Sequence, residues 1–264
     1  MQKRMLLSSV AARWFASLAV WVVVVCGTGQ GDAWAAGKMY WADTGSGEIR
    51  RANLDGTAVE SLVTDLDAPE GMALDVAGGK VYWTEAPSEK IRRANLDGTE
   101  VEDLVTSSHP RAIALDVGGG KMYWTDVFDG ILRANLDGME VEVLVTELDA
   151  PEGMALDVVV GKMYWTDAGT DTIQRANLDG TEVEILVTGL ESPNGITLDV
   201  AGGKMYWTEG FQHGTGKIRR ANPDGTDIED LMTELETPLG IALDIAAGKM
   251  YWTDPRARTI QRTD

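Results

Sequence analysis

Covalent cross-links are the first thing this chain lacks. Its 264 residues include a single cysteine, Cys26, so no disulfide can form within the chain and burial must hold the fold together. Histidine is almost as scarce, with His109 and His213 alone. Neither recurs from repeat to repeat, both read as ordinary loop residues, and no zinc-ligand spacing is present, which leaves little material for Ser-His-Asp or Cys-His catalysis. Positive charge is short as well, with 23 Lys plus Arg against 42 Asp plus Glu and a net charge of −19. A surface of that sign repels phosphate backbones, so nucleic acid is not expected as a partner. The repeated part of the chain shows no 3.6-residue apolar period and hence no helix. The longest apolar run, residues 14–26, has thirteen residues, short of the roughly 20 that a membrane-spanning helix needs.

What the chain has in abundance is repetition. Tyr-Trp occurs six times, at Tyr40-Trp41, Tyr82-Trp83, Tyr123-Trp124, Tyr164-Trp165, Tyr206-Trp207 and Tyr251-Trp252, with separations of 42, 41, 41, 42 and 45 residues. A unit of that size cannot bury its own apolar surface and must stack against its neighbours. The second copy reads as four short strands: around Tyr82-Trp83, around Ile91-Arg92-Arg93, around Leu104-Val105, and from Pro110 to Val117. Asp97-Gly98 marks one reversal and Gly118-Gly119-Gly120 another, because glycine is free to take positive φ. Four antiparallel strands per unit of about 40–45 residues describe a propeller blade, and closing the blades into a ring leaves only short sheet edges. Met122-Tyr123-Trp124 is bulky on both faces, as a sheet covered on both sides requires. In the Pro-started strand one central position is small throughout, Ala73, Ala114, Ala155, Thr197 and Ala242, which suits the innermost strand where blades converge.

Tyr123-Trp124-Thr125-Asp126, Tyr164-Trp165-Thr166-Asp167 and Tyr251-Trp252-Thr253-Asp254 match the YWTD motif. On these residues the chain resembles the low-density lipoprotein receptor class B repeat family over residues 37–264, and the resemblance implies an all-β, six-bladed propeller with four-stranded antiparallel blades. Ala42 stands in place of the motif's Thr, and Glu85 and Glu209 in place of its Asp, so hydrogen bonds at those blades are expected to be rearranged. Only five Pro-started strands, at Pro69, Pro110, Pro151, Pro193 and Pro238, and five outer strands accompany the six Tyr-Trp strands, giving twenty-two strands rather than twenty-four. The first and last blades are therefore expected to be incomplete. Residues 30–36, a truncated coding sequence or a second chain are the sources considered for the missing strands.

The first 35 residues differ from the rest. Lys3, Arg4 and Arg13 precede the apolar run, and Ala33-Trp34-Ala35 has the small-x-small form of a cleavage site, so residues 1–35 read as a signal peptide, alternatively an uncleaved anchor, and residues 36–264 as the propeller. The protein is then expected to be secreted, periplasmic or at the cell surface, and monomeric. Membrane contact is expected only through an uncleaved N-terminus or one lipidated at Cys26. Cleavage after Ala35 leaves 20 Lys plus Arg against 41 Asp plus Glu.

Two sets of repeated charges invite a structural reading. Asp43, Glu85, Asp126, Asp167, Glu209 and Asp254 close the Tyr-Trp strands, and Arg51, Arg93, Arg133, Arg175, Arg220 and Arg262 lie on the strands that follow; a repeated network between acids and arginines is expected. Asp75, Asp116, Asp157, Asp199 and Asp244 recur near the end of the innermost strand. They read as a hydrogen-bond acceptor in each blade, with an axial Ca²⁺ site as the minor alternative; no other cofactor is expected.

The loops that vary between copies point to function. Asn-Leu-Asp-Gly and the Gly-rich turns scarcely change, whereas the loops after each Tyr-Trp-Thr-Asp and before each inner strand do, and propeller connectivity puts both variable sets at one mouth of the channel. Glu70, Arg111, Glu152, Asn194 and Leu239 follow the repeated Pro there, and Phe128, Phe211 and Arg256 lie in the adjacent loops. Of these, Glu70, Arg111, Phe128, Glu152, Asn194, Phe211 and Arg256 are the candidate ligand-binding residues, with Phe and Arg as anchors. The expected function is a noncatalytic binding module for a protein or glycan. The alternatives are a metal-dependent hydrolase or lyase of the lactonase kind, with Glu70, Glu152 and Asn194 as ligands, and a purely structural surface protein.

Overall fold

The computed structural model describes residues 20–25 as backbone and residues 37–210 and 215–263 in full. These fold into six antiparallel sheets without a helix, five of four strands and one of three. In the second blade the strands run from the axis outward as Pro69–Asp75, Lys80–Glu85, Lys90–Asn95 and Glu102–Thr106. The six innermost strands are Val20–Val25, Pro69–Asp75, Pro110–Asp116, Pro151–Asp157, Pro193–Asp199 and Ile241–Asp244. Each touches the next around the axis, and the first touches the last, so the ring closes.

The inner lane of the first blade corrects the expected strand count. Residues 30–36 lie outside the described residues; the lane is taken by Val20–Val25, which pairs antiparallel with Lys38–Asp43. The described chain thus has 23 strands rather than 22. An apolar β-branched run suits the core of an export signal, and the same run forms a strand when a neighbouring edge is open to it. Among the described residues the last blade has three strands, as expected of an incomplete one: Ile241–Asp244, Lys249–Asp254 and Thr259–Arg262.

Blades are held together by their Tyr-Trp strands. Trp83, Trp124, Trp165 and Trp207 have no exposed surface and Tyr40, Tyr82, Tyr123 and Tyr164 almost none. Each Tyr and Trp packs with residues of an adjacent blade, as in the cluster that joins Tyr82 to Trp124, Ile113 and Met122. A buried aromatic removes roughly 150–250 Å² from water, which accounts for cohesion without disulfides. The motif's Thr adds a belt of hydrogen bonds around the axis. Thr125 Oγ1 accepts from Ala112 N at 2.9 Å and donates to Glu152 O of the next blade at 2.8 Å. Thr84, Thr166 and Thr208 make the same pair of contacts. In the first blade Ala42 cannot, and Thr44 Oγ1 reaches Pro69 O at 2.7 Å instead.

The expected network between motif acids and arginines does not form in the expected way. Arg51, Arg93, Arg133, Arg175 and Arg220 each lie over the Tyr ring of their own blade. Each pairs with a glutamate of the outer strand, Glu60, Glu102, Glu142, Glu184 and Glu229 respectively. Register explains the difference. Arg93 stands directly opposite Tyr82, whereas Glu85 stands opposite Lys90, three residues or about 10 Å along the strand. The acids instead cap loop amides: Asp126 accepts from His109 N, Phe128 N and Asp129 N, and Asp167 from the amides of Asp149, Ala150, Gly169 and Thr170. Where an arginine stands opposite the motif Trp the acid also reaches it, Arg50 from Asp43 at 3.6 Å, Arg92 from Glu85 at 3.1 Å and Arg219 from Glu209 at 3.0 Å.

Candidate functional site

The innermost strands enclose a channel of about 340 Å³ walled by small residues, among them Ala73, Ala114, Ala155, Thr197 and Ala242. At one end, the pairing of inner and Tyr-Trp strands slips between Pro69 and Met72, Pro151 and Met154, and Pro193 and Ile196. Such a bulge leaves residues out of the ladder and re-aims their side chains. The third blade is irregular nearby, between Trp124 and Asp126. Gly71 shows why the bulge carries glycine, since a Cβ there would lie 2.1 Å from Arg111 O of the neighbouring strand. The residue at the position of Glu70 changes from each blade to the next, Glu70, Arg111, Glu152, Asn194 and Leu239, so similar backbone frames place unlike side chains side by side.

Three of these side chains form a charged cluster. Arg111 Nη1 donates to Glu70 Oε2 at 2.7 Å, and its Nε lies 3.9 Å from Glu152 Oε2. The two carboxylates therefore flank one guanidinium contributed by the blade between them. Burial disfavours the charge of Arg111, but Glu152 and Glu70 outweigh it and hold the guanidinium protonated. Glu152 is pushed up to about 7, chiefly by burial and further by the charges of Glu70 and Asp167, with Arg111 opposing. Its charge consequently changes near neutrality. Asn194 is buried and donates through Nδ2 to Ser192 O at 2.9 Å, and Leu239 is buried beside it.

Phe128 stands outside this cluster, 69% exposed, with its ring 5.8 Å from that of His109 in an edge contact. Arg256 is exposed and lies 3.9 Å from Glu236. Phe211 lies outside the described residues. Sequence reasoning missed His109 as a neighbour of the cluster. Burial and then Arg111 hold its imidazole below the usual range, and its backbone amide is fixed by Asp126 at 2.8 Å. The signal was its place before Pro110 in a loop that varies.

The five repeated aspartates do not converge on the axis as metal ligands. Each accepts from the backbone of the turn that follows it: Asp75 from Gly78 N at 2.7 Å, Asp116 from Gly119 N, Asp157 from Val159 N and Val160 N, Asp199 from Gly202 N, and Asp244 from Ala247 N. An acceptor serving its own turn is occupied by that turn. Among the described residues no three His, Cys, Asp or Glu side chains are grouped as a cation would need. At the mouth, the Arg111 guanidinium sits beside both carboxylates that were considered as ligands.

Comparison with solved structures places this architecture among known propellers. A nidogen, solved as a nidogen/laminin complex, superimposes with a TM-score of 0.77 at 28% identity, covering 86% of this chain and 88% of that one. A gluconolactonase from Xanthomonas campestris gives 0.70 at 20% identity, covering 91% and 85%. A virginiamycin B lyase from Staphylococcus aureus, solved with quinupristin, gives 0.66 at 19% identity, covering 93% and 85%. At those identities the two enzymes share the fold alone. No curated protein matches the chain in sequence. The family described as low-density lipoprotein receptor repeat class B matches residues 37–76, 79–117, 120–158 and 161–200, more than half of the sequence, and with six blades built on the Tyr-Trp strand the chain belongs to that family.

Proposed function

We propose that the protein is an exported, noncatalytic module that recognises a protein, or alternatively a glycan, at the channel mouth lined by Glu70, Arg111, Glu152 and Asn194, with Phe128 and Arg256 at its edge and Phe211, outside the described residues, as a further candidate. One observation carries this reading: successive blades present different side chains at the same position of the mouth, with Phe128 69% exposed in a loop of the third blade and Arg256 exposed in a loop of the sixth. A large aromatic and a cation around a charged polar centre form an anchor-and-orient surface. The nidogen relative was solved with a protein bound, which favours a protein partner over a glycan. Export rests on the charged, apolar and small-x-small pattern of residues 1–35; cleavage after Ala35 would remove Val20–Val25 and leave the inner lane of the first blade open, so an uncleaved anchor is the alternative that keeps the ring as described, the chain being a monomer in either case.

The test compares wild-type protein with Phe128→Ala/Arg256→Ala on an array of extracellular proteins and glycans. Selective capture lost in the variant at unchanged melting temperature is expected; capture unaltered by the substitutions would move the site elsewhere. Export is checked by intact mass and N-terminal sequencing of the released protein, and a product beginning before residue 36 would overturn cleavage there. A metal-dependent hydrolase has less support, because the Arg111 cation already lies beside both Glu70 and Glu152. Stoichiometric divalent metal in the purified protein would reverse that preference.

A further inference from the structure

We propose that Asp137-Gly138, the turn between the third and outer strands of the third blade, is a site of spontaneous covalent modification at which the main chain re-forms through the aspartate side chain to give isoaspartate. The chemistry is open to any Asp-Gly pair. The backbone nitrogen of the glycine gives up its proton and attacks Cγ of the aspartate, one carboxyl oxygen leaves as water, and a five-membered succinimide results. Water then opens this ring at either carbonyl. One opening returns aspartate, and the other puts the side-chain methylene into the main chain and leaves the α-carboxylate free. Glycine favours the attack because no Cβ shields its nitrogen, and water is the only co-reactant.

The chain holds five copies of this turn, which serve as controls for one another. Asp55-Gly56, Asp97-Gly98, Asp137-Gly138, Asp179-Gly180 and Asp224-Gly225 share one backbone: every glycine has φ between 82° and 86°, and its N–H donates to the carbonyl of the preceding asparagine at 2.8–2.9 Å. Their side chains differ. In four of them the residue after the glycine is threonine, whose amide and hydroxyl both donate to aspartate Oδ1, the hydroxyl at 2.5–2.6 Å. The same hydroxyl accepts from asparagine Nδ2 at 2.8–2.9 Å, so the carboxylate is tied to both ends of its turn. The threonine hydroxyl, and then the threonine amide, hold Asp55, Asp97, Asp179 and Asp224 below the ordinary carboxylate range. An ionised carboxylate is a poor electrophile, so the clamp protects these four both by position and by charge.

Met139 takes the place of that threonine in the third blade and brings no hydroxyl. Among the described residues Asp137 keeps a single hydrogen bond, from Met139 N at 2.9 Å, and Asn135 Nδ2 turns to Glu140 Oε2 at 3.2 Å instead. Asp137 is exposed, so its carboxyl is free to swing toward Gly138 N. Asp129-Gly130, the remaining pair of this kind, differs in both respects: Gly130 is buried, and Asp129 accepts from Ser108 Oγ at 2.7 Å. The product has a consequence at a blade interface. Leu136 O accepts from Arg93 Nη1 at 2.9 Å, and the Cβ position of Gly138 lies 2.4 Å from Leu104 O, both partners belonging to the second blade. Isoaspartate lengthens the main chain of the turn by one atom and so displaces the contacts that join blades two and three.

The test incubates the full chain at mildly acid pH in water enriched in heavy oxygen, because each opening of a succinimide leaves one solvent oxygen in the residue. Peptide mapping of the label and of isoaspartate should show Asp137 reacting about fivefold faster than Asp97 or Asp179, the factor set by one hydrogen bond. Met139→Thr should slow Asp137 to the rate of Asp97, and Thr99→Met should raise Asp97 to that of Asp137. In urea, where the clamps are gone, Asp97, Asp137 and Asp179 should react alike. Equal rates in the folded protein, no effect of Met139→Thr, or a lead of Asp137 that persists in urea would each overturn the proposal. So would a lead at Asp55, whose Gly56 has nothing near its Cβ position, because packing rather than the clamp would then decide the rate.

Discussion

The two faces of the disc are built from the same number of loops and do opposite things with them. On one, Asp75, Asp116, Asp157, Asp199 and Asp244 each accept from their own turn, so blade after blade repeats one solution. On the other, the side chain after the repeated Pro changes from each blade to its neighbour, and Glu70, Arg111 and Glu152 meet across blades. A residue that satisfies only its own blade constrains stability alone, whereas residues that meet across blades create a surface. The lesson is that repetition marks scaffold and its local failure marks the face available for recognition.

The sharpest way to break this contrast is to damage the scaffold near the mouth. Thr125→Val strands Ala112 N and Glu152 O, both currently satisfied, and should cost about 2–4 kcal/mol in urea unfolding, since each unsatisfied buried group costs ~1–3 kcal/mol. Arg111→Met comes next. It leaves two acids facing each other without their cation, so stability should fall by about 1–3 kcal/mol at pH 8, with most of the loss recovered at pH 5. A loss equal at both pH values would show that the guanidinium acts through packing alone.

Smaller effects separate the faces further. Asp157→Ala on the constant face should cost about 1 kcal/mol and leave partner capture unchanged; impaired capture would assign function to the wrong side. Glu152→Gln isolates the titration. Because burial raises the folded pKa of Glu152 to about 7, its contribution is complete below the unfolded carboxylate range and is lost as pH rises toward 7. Wild type should therefore lose about 2–6 °C of melting temperature relative to the Gln variant between pH 4.5 and 7.5. A constant difference across that range would refute the shift. Phe128→Ala should be the mildest, within about 0.5 kcal/mol, because its ring is largely in water, and should act on capture instead.

Fold and blade number were legible because Tyr-Trp recurs at nearly constant spacing and small residues mark the inner strand. The mouth position was legible too, as the residue after each repeated Pro. Contacts that depend on register were not. Glu85 and Arg93 are neighbours in any list of repeated charges, yet pairing sets Arg93 opposite Tyr82 and sends it to Glu102. Arg111 read as an exposed anchor, whereas it is held between Glu70 and Glu152, each about one repeat away; only ring closure brings the three together. Val20–Val25 was hidden because an apolar β-branched run serves equally as an export signal and as a strand.

The belt of threonine contacts is uneven, and its irregular member is Ala42, replaced in function by Thr44. Ala42 adjoins the one inner lane that does not follow a repeated Pro, and both lie next to the three-stranded blade. Under heat or mechanical load the circle should part at this junction first, opening like a split washer while blades two to five stay joined. Amides of the first blade would then exchange with solvent well before those of the third and fourth.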